Sequence, residues 1–492
     1  MHNKEPLFSF YLPAYKKTPE TFEKCIESLL DQSYKNIEIV VVFDGSNQEL
    51  EDVLKRWPSI KSKVIEHGGA SIARNEGFKM TSGEYVVAWD IDCFAKPEMV
   101  RMWKETYDRN PDAAFVYSGY EFENEEGGFK SEMFDPYSLQ CGNYIASMFS
   151  VKREFFPGWD ESLKAAQDWD FWLSVVEKGG KGVFIQGYGF VTEMPRAGSI
   201  SHSGWSTENR ENTIRTIRTK HGIEDRPIAV FGAVHSLKAL HLAKLLNADV
   251  IKGSSLHIRN YKLILNLGYS PMIRFRDAQK DAIKCHYWMP WDIDCLNEIS
   301  HKTAKETIRL ANLELTHQFC NDIVSKKRLS ELGIQAEILP LPTEIDDLES
   351  TLPEDFRVLI DVDKAHEPIV AGIDKDIPYI PIDRLETAAS ISKYSLLISF
   401  HENPYADEGM KRFMLNGRNI ISNVQAPFCG FFDLEVNHTE FRKELITRIR
   451  LARDYPFNKE AQAYYKTLVD PSKFKERILQ LLSKKQMEII NV

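Results

Sequence analysis

Four short stretches of the chain carry side chains suited to a charged, phosphorylated ligand. Asp90-Ile91-Asp92 sets two carboxylates two residues apart, directly after the apolar run from Tyr85 to Trp89. At that spacing both carboxylates reach one site when the backbone turns. Hard divalent cations, Mn²⁺ or Mg²⁺, take such oxygen donors while keeping waters and substrate phosphates as further ligands. A solvated turn gives the same pattern. Asp44 ends a second apolar run, and its carboxylate could accept the imide N–H of uracil or thymine, while Tyr15 could stack on the base or line its pocket. An ordinary residue ending a strand is the competing reading for Asp44. Arg74, in GGASIARNEG, opens a helical stretch where a guanidinium could meet phosphate oxygens beside the helix N-terminus; the alternative is a solvent-facing arginine.

These residues share a place in the pattern, since each follows a short run rich in β-branched residues that alternates with a stretch of helical period. That alternation is the mark of βαβ units around a mainly parallel sheet, so the fold class is α/β. In open sheets of this kind ligands gather outside the carboxyl ends of the strands. Strands are expected at 8–12, 37–43, 63–66, 85–89 and 113–117. Helices are expected at 71–80, at 97–109 and after Thr18, where Pro19 opens a turn with Phe22, Ile26, Leu29 and Leu30 on one face. Pro13-Ala14-Tyr15, Asp44-Gly45-Ser46 and Asp90-Ile91-Asp92 then converge on one crevice.

With 492 residues the chain should hold two or three cores, and 43% hydrophobic against 27% charged residues is an ordinary globular balance. A net charge of −10 repels polyanions on average, which disfavours a nucleic-acid partner. No stretch approaches the roughly 18 to 20 apolar residues of a membrane span, and MHNKEPLFSFYLPAYKK is not a signal peptide, so a cytoplasmic location is expected. Peripheral membrane contact stays open. Seven scattered cysteines without a CxxC pair suggest neither disulfides nor a zinc site. The polar stretch from Arg215 to Arg226 reads as a boundary, giving domains 1–222, 223–350 and 351–492. The second half restarts the alternation, with strands expected at 228–231, 249–251, 337–339, 356–360, 396–399 and 419–422.

LPAYKKTPETFEKCIESLLDQSYKNIEIVVVFDGS, GGASIARNEGFKMTSGEYVVAWDIDC and AAQDWDFWL, in this order and spacing, make residues 7 to about 204 resemble a family 2 glycosyltransferase of the GT-A fold. The resemblance implies that Pro13, Tyr15 and Asp44 line the base pocket, Arg74 approaches the donor nucleotide, Asp90 contacts the ribose side and Asp92 binds Mn²⁺ or Mg²⁺. It implies Asp168 as catalytic base, taking the proton of an acceptor hydroxyl during an inverting, in-line displacement. The bland reading of Asp168 is a carboxylate favoured at a helix start. Asp170 and Trp172 read as framework or acceptor-site wall, and His202 as a further metal ligand or a solvent-facing histidine. Absence of the QxxRW motif argues against a polymerising synthase. A nucleotide-sugar donor, with UDP favoured, and a glycan or glycoconjugate acceptor follow.

Residues 228–480 more faintly resemble a GT-B enzyme of family 4, through LELTHQFCNDIVSKKRLSELGIQAEILPLPTE and EGMKRFMLNGRNIISN. The donor-binding glutamates of that family correspond to Arg412 and Pro404, with Glu402 and Glu408 nearby. A repurposed module that binds or positions the acceptor is therefore expected, the rival being a bifunctional enzyme. A DNA-base glycosylating enzyme, a nucleotidyltransferase and a non-catalytic nucleotide-sugar scaffold are the remaining alternatives; FYLPAYKKT lacks the glycine-rich signature of the second.

Overall fold

The computed structural model describes residues 5–123, 127–193, 207–232, 236–251, 261–268, 281–289, 292–293, 295–296, 301–342, 355–364, 366–384, 393–400, 408–416, 418–423, 430–431, 438–454 and 458–490. The chain divides into two compact units, Met1–Asp225 and Arg226–Val492.

The first unit runs β1 (Phe8–Ala14), α1 (Pro19–Leu30), β2 (Ile37–Asp44), α2 (Gln48–Leu54), β3 (Lys61–Ile65), α3 (Ala70–Met80), β4 (Tyr85–Ala88), β5 (Cys93–Ala95), α4 (Met99–Arg109), β6 (Phe115–Phe122), β7 (Gly128–Phe129), α5 (Pro136–Cys141), β8 (Ser150–Lys152), α6 (Gln167–Glu177), β9 (Gly182–Thr192) and α7 (Thr207–Lys220). One mixed sheet has the order β3-β2-β1-β4-β8-β6-β9-β5, with β7 beside β6. Its Rossmann-like half, β3-β2-β1-β4, is parallel throughout. Beyond β4, the strands β8 and β5 pair antiparallel with their neighbours while β6 and β9 run parallel to each other.

The parallel half forms because its inner strands β2, β1 and β4 are nearly continuous apolar runs, while β3, KSKVI, is a polar, exposed edge strand. Phe8, Phe10 and Leu12 of β1 and Val40, Val41 and Val42 of β2 are fully buried, as strands covered on both faces require. Helix α1 starts where Thr18 accepts the Thr21 N–H at 3.3 Å, with Pro19 next. Its buried face is Phe22, Cys25, Ile26 and Leu29, the i, i+3, i+4, i+7 set; Leu30, expected on that face, lies off it and is exposed. Gly77 lets α3 approach β1 closely, since a Cβ there would sit 2.9 Å from Tyr11 Cβ. That contact brings Arg74, one turn earlier on α3, against the strand ends.

The polar stretch from Arg215 to Arg226, read as a domain boundary, is partly helical. Helix α7 runs to Lys220, and Lys220 and His221 both bind the buried Asp170 of α6, at 2.7 and 2.9 Å. The helix docks through a narrow apolar edge, Ile214 and the fully buried Ile217, and the cations at its end add the contacts to Asp170, so its polar remainder masks the helical period.

The second unit holds two wholly parallel sheets. In the first, β10 (Ile228–Phe231), β11 (Asp249–Ile251), β12 (Leu263–Leu267), β13 (Ile283–Trp288), β14 (His317–Cys320) and β15 (Glu337–Ile338) take the order β11-β10-β12-β13-β14-β15. In the second, β16 (Val358–Val362), β17 (Ile382–Arg384), β18 (Leu396–Phe400), β19 (Asn419–Ser422) and β20 (Gly430–Phe431) take the order β17-β16-β18-β19-β20. Strands β12 and β13 were not anticipated, although LILNL is an unbroken buried run. Helices His438–Asp454, Lys459–Leu468 and Pro471–Ile490 close the chain. Among the described residues no helix is long and apolar enough to cross a membrane, and the six described cysteines are free.

Candidate active site

Asp44, at the end of β2, turns its buried carboxylate onto the loop leading into α3. Oδ1 accepts from Gly68 N at 2.7 Å, Oδ2 accepts from Gly69 N at 3.0 Å, and Oδ2 pairs with His67 Nδ1 at 3.0 Å. Three donors occupy three of roughly four lone-pair positions, leaving about one for a ligand. The His67 ring stacks on Tyr15 at 4.3 Å and 8°, and Lys16 Nζ stands 4.8 Å from the Tyr15 ring centre. Tyr15 is 40% exposed, so its aromatic surface is open to a further planar group. Pro13 is the penultimate residue of β1, in register with Val42.

Arg74 does not face solvent. Its guanidinium is buried, donating to Asp90 Oδ1 at 2.7 Å and to Gln167 Oε1 at 3.3 Å, and it lies 4.5 Å from the Trp159 ring centre. Trp159 is itself fixed: its indole N–H donates to Tyr11 Oη at 3.1 Å, and its backbone exchanges hydrogen bonds with the Asn75 side chain. One helix thus ties the loop before α6 to the turn after β4. Two buried polar atoms of α3, Ser71 Oγ and Arg74 Nε, have no partner among the described residues, and the helix start lacks a side-chain cap. Uncapped N–H groups, a buried guanidinium and spare donors form a setting that suits anionic oxygens.

The turn carrying Asp90 and Asp92 is locked from below. The Trp89 indole, fully buried, donates to Cys93 O at 3.1 Å, and Cys93 N donates to Asp90 O at the same distance. Asp92 O accepts from Glu193 N at 3.1 Å, where β5 meets β9. The Asp92 side chain is partly exposed, and burial together with the nearby Asp90 charge pushes its carboxyl up against the opposing pull of Lys17, whose Nζ is 2.7 Å away. A carboxylate held this way gains from a cation. Hard oxygen donors that keep open positions for diphosphate fit a divalent ion, with Asp92 as the protein ligand. Among the described residues no cluster of three or more acidic, histidine or cysteine side chains could hold a metal by itself. His202 lies outside the described residues.

Asp168 stands in the first turn of α6, entered through Ala166 in the left-handed region at φ 51°. Oδ1 accepts from Trp169 N at 2.9 Å and Oδ2 from Asn143 Nδ2 at 2.8 Å. Burial pushes its carboxyl up and Asp90 adds to this, while the Trp169 N–H and the Arg74 charge pull it down. The only other non-glycine residue of this unit described with positive φ is Lys16, at 45°, in the loop after β1. Each left-handed residue precedes a side chain that reaches toward the acidic turn, Lys17 on Asp92 and Gln167 on the Arg74 that pairs with Asp90, so backbone strain of about 1–3 kcal/mol each is expected to serve positioning.

Asp44, Arg74, Asp90 and Asp168 are thus joined through α3, and Asp92 through the adjoining turn. Asp170 is framework, buried against His221 and Lys220, and Trp172 is buried with its indole N–H on Ala146 O. Reading the sequence missed His67, Lys17, Gln167 and Asn143. Lys17 had a signal, since it sits in the same loop as Tyr15; Asn143 had none, its contact with Asp168 being purely tertiary.

Residues 9–161 match the family described as Glycosyl transferase family 2. A glucosyl-dolichyl phosphate glucuronosyltransferase of Haloferax volcanii is 34% identical over 101 residues, 20% of this chain and 32% of that protein. Glycosyltransferase GlyA of Streptococcus pneumoniae is 36% identical over 111 residues, 22% of this chain and 16% of that protein. The chain thus spans less than a third of the length of these curated relatives. A crystal structure of S. aureus TarS 1–349 with UDP-GlcNAc is 20% identical, covers 43% of this chain and 66% of that one, and has a TM-score of 0.37. The matched region lies within the first unit, and the proteins that share it are glycosyltransferases by their names.

Proposed function

We propose that the first unit is a GT-A, inverting, metal-dependent glycosyltransferase that moves a sugar from a nucleotide-diphosphate donor, UDP-sugar favoured, to a hydroxyl of a glycan or glycoconjugate. The observation that carries this is the buried guanidinium of Arg74 linking Asp90 to the α6 segment that bears Asp168. It brings an acidic turn able to meet a donor and a carboxylate able to act as base to one crevice.

In this reading the base of the nucleotide rests against Tyr15 and His67, with its imide N–H on the free lone pair of Asp44. Asp90 meets the ribose. Asp92 holds Mn²⁺ or Mg²⁺, which when bound offsets charge developing on the departing diphosphate. Asn143 and the Trp169 N–H orient Asp168, which takes the acceptor hydroxyl proton while that oxygen attacks the anomeric carbon opposite the diphosphate. A carboxyl raised by burial serves better as a base than one at its ordinary value, provided it is ionised at working pH. We assign the second unit a role in binding or positioning the acceptor, supported by the lack of glutamate at Arg412 and Pro404. Pro404 and Glu402 lie outside the described residues, as do the side chains of Arg412 and Glu408.

Thermal shift and turnover of the full chain against UDP-, dTDP- and GDP-sugars with Mn²⁺ or Mg²⁺ test the reading. One nucleotide should stabilise the protein in a metal-dependent way. Asp92→Ala should abolish that shift. Asp168→Asn should keep it while lowering turnover about 10²- to 10⁴-fold. No shift by any nucleotide with any metal would refute the donor site.

A further inference from the structure

Lys17 belongs to neither the base pocket nor the proton path, yet its ammonium is placed where a cation at Asp92 would stand. Nζ is 2.7 Å from Asp92 Oδ2 and 3.6 Å from Glu193 Oε2. These two acids are held together by backbone, since Glu193 N donates to Asp92 O at 3.1 Å. Glu193 is further fixed by the Thr21 hydroxyl of α1, which donates to Oε1 at 2.8 Å. The loop that delivers Lys17 takes its direction from Lys16, whose left-handed φ of 45° turns the chain back. A lysine on an open surface would not need such a turn. Both partners are about a third exposed, so the pair can be parted.

We propose that Lys17 is a tethered counter-ion: it caps Asp92 in the donor-free protein, yields that carboxylate to the divalent cation, and passes its ammonium to the diphosphate arriving with the metal. This rests on the metal-dependent reading above. The exchange is electrostatically balanced. The metal takes over neutralisation of Asp92, and the freed ammonium meets the phosphate oxygens, the nearest uncompensated negative charge once a donor is bound. Bare metal binding is then penalised, while binding of metal together with diphosphate is rewarded, which couples the two ligands.

The test is Lys17→Met in the full chain, with Lys55→Met as a control that removes equal charge from the exposed α2 surface. Binding of Mn²⁺ alone is followed by electron paramagnetic resonance of the free ion, and UDP binding at saturating Mn²⁺ by calorimetry. Lys17→Met should bind Mn²⁺ alone about three- to tenfold more tightly and UDP about three- to tenfold more weakly, with Lys55→Met changing neither. If Asp92→Asn abolishes Mn²⁺ binding but Lys17→Met leaves either affinity unchanged, the exchange is overturned and the metal site stands. If wild-type protein and Asp92→Asn bind Mn²⁺ equally poorly even with UDP, the metal reading falls and this proposal with it.

Discussion

Replacing Arg74 by Met probes the link on which the site depends. The guanidinium is buried, and its ion pair with Asp90 spans 2.7 Å. Breaking a fully buried pair costs about 3–5 kcal/mol. Here the Asp90 side chain is a third exposed, so water can re-solvate it and the loss falls below that range. The cation–π contact with Trp159, both partners being buried, adds about 2 kcal/mol, of which the Met sulfur on the same ring restores about 0.3–1.5 kcal/mol. Met also removes the unpartnered Nε. A net loss of about 2 kcal/mol follows, or about 4–8 °C in Tm for a unit of this size. Seven of the nine tryptophans precede Arg226, so a fluorescence melt of the full chain reports mainly on the first unit. Arg74 also pulls the Asp168 carboxyl down, so its loss should move the acidic limb of the turnover profile to higher pH. Arg74→Lys keeps the charge without the fork and should fall between. A Tm within 1 °C of wild type, with the limb unmoved, would refute the argument that Arg74 couples the two carboxylates.

Asn143→Ala should lower kcat about tenfold with little change in donor KM, because the 2.8 Å bond it removes orients Asp168 and touches no donor group; steady-state kinetics separate the two. His221→Gln should flatten the pH dependence of stability. Burial alone would lower the His221 pKa, but hydrogen bonds to Asp170 and Glu177 outweigh this and leave it raised. A raised folded value means the contribution is complete below the unfolded value of about 6.5 and is lost as pH rises through the folded one. Wild-type Tm should therefore fall as pH rises from about 6.5 through the raised folded value, and the variant should show less of the fall.

Most of the parallel half-sheet, and the strand ends that bear acidic and aromatic side chains, could be read from local pattern alone. Unbroken runs such as Ile37 to Phe43 bury on both faces, and Thr18-Pro19 starts α1 by local rules alone. The places of Tyr15, Asp44 and Asp90 at or just past strand ends were legible from the apolar runs before them. Short antiparallel strands such as β5, β7 and β8 were not, since two or three residues carry no period and their pairing is set by partners far along the chain. Nor was the direction of the charged groups. Whether Arg74 faces phosphate or solvent stays open until α3 is laid on β1 through Gly77; the polar 210s read as a domain boundary until Lys220 and His221 meet Asp170. The same holds for Lys17 on Asp92 and Asn143 on Asp168. Apolar burial follows local pattern, whereas the pairing of charges depends on which strand ends the topology brings together, and that only the tertiary structure decided.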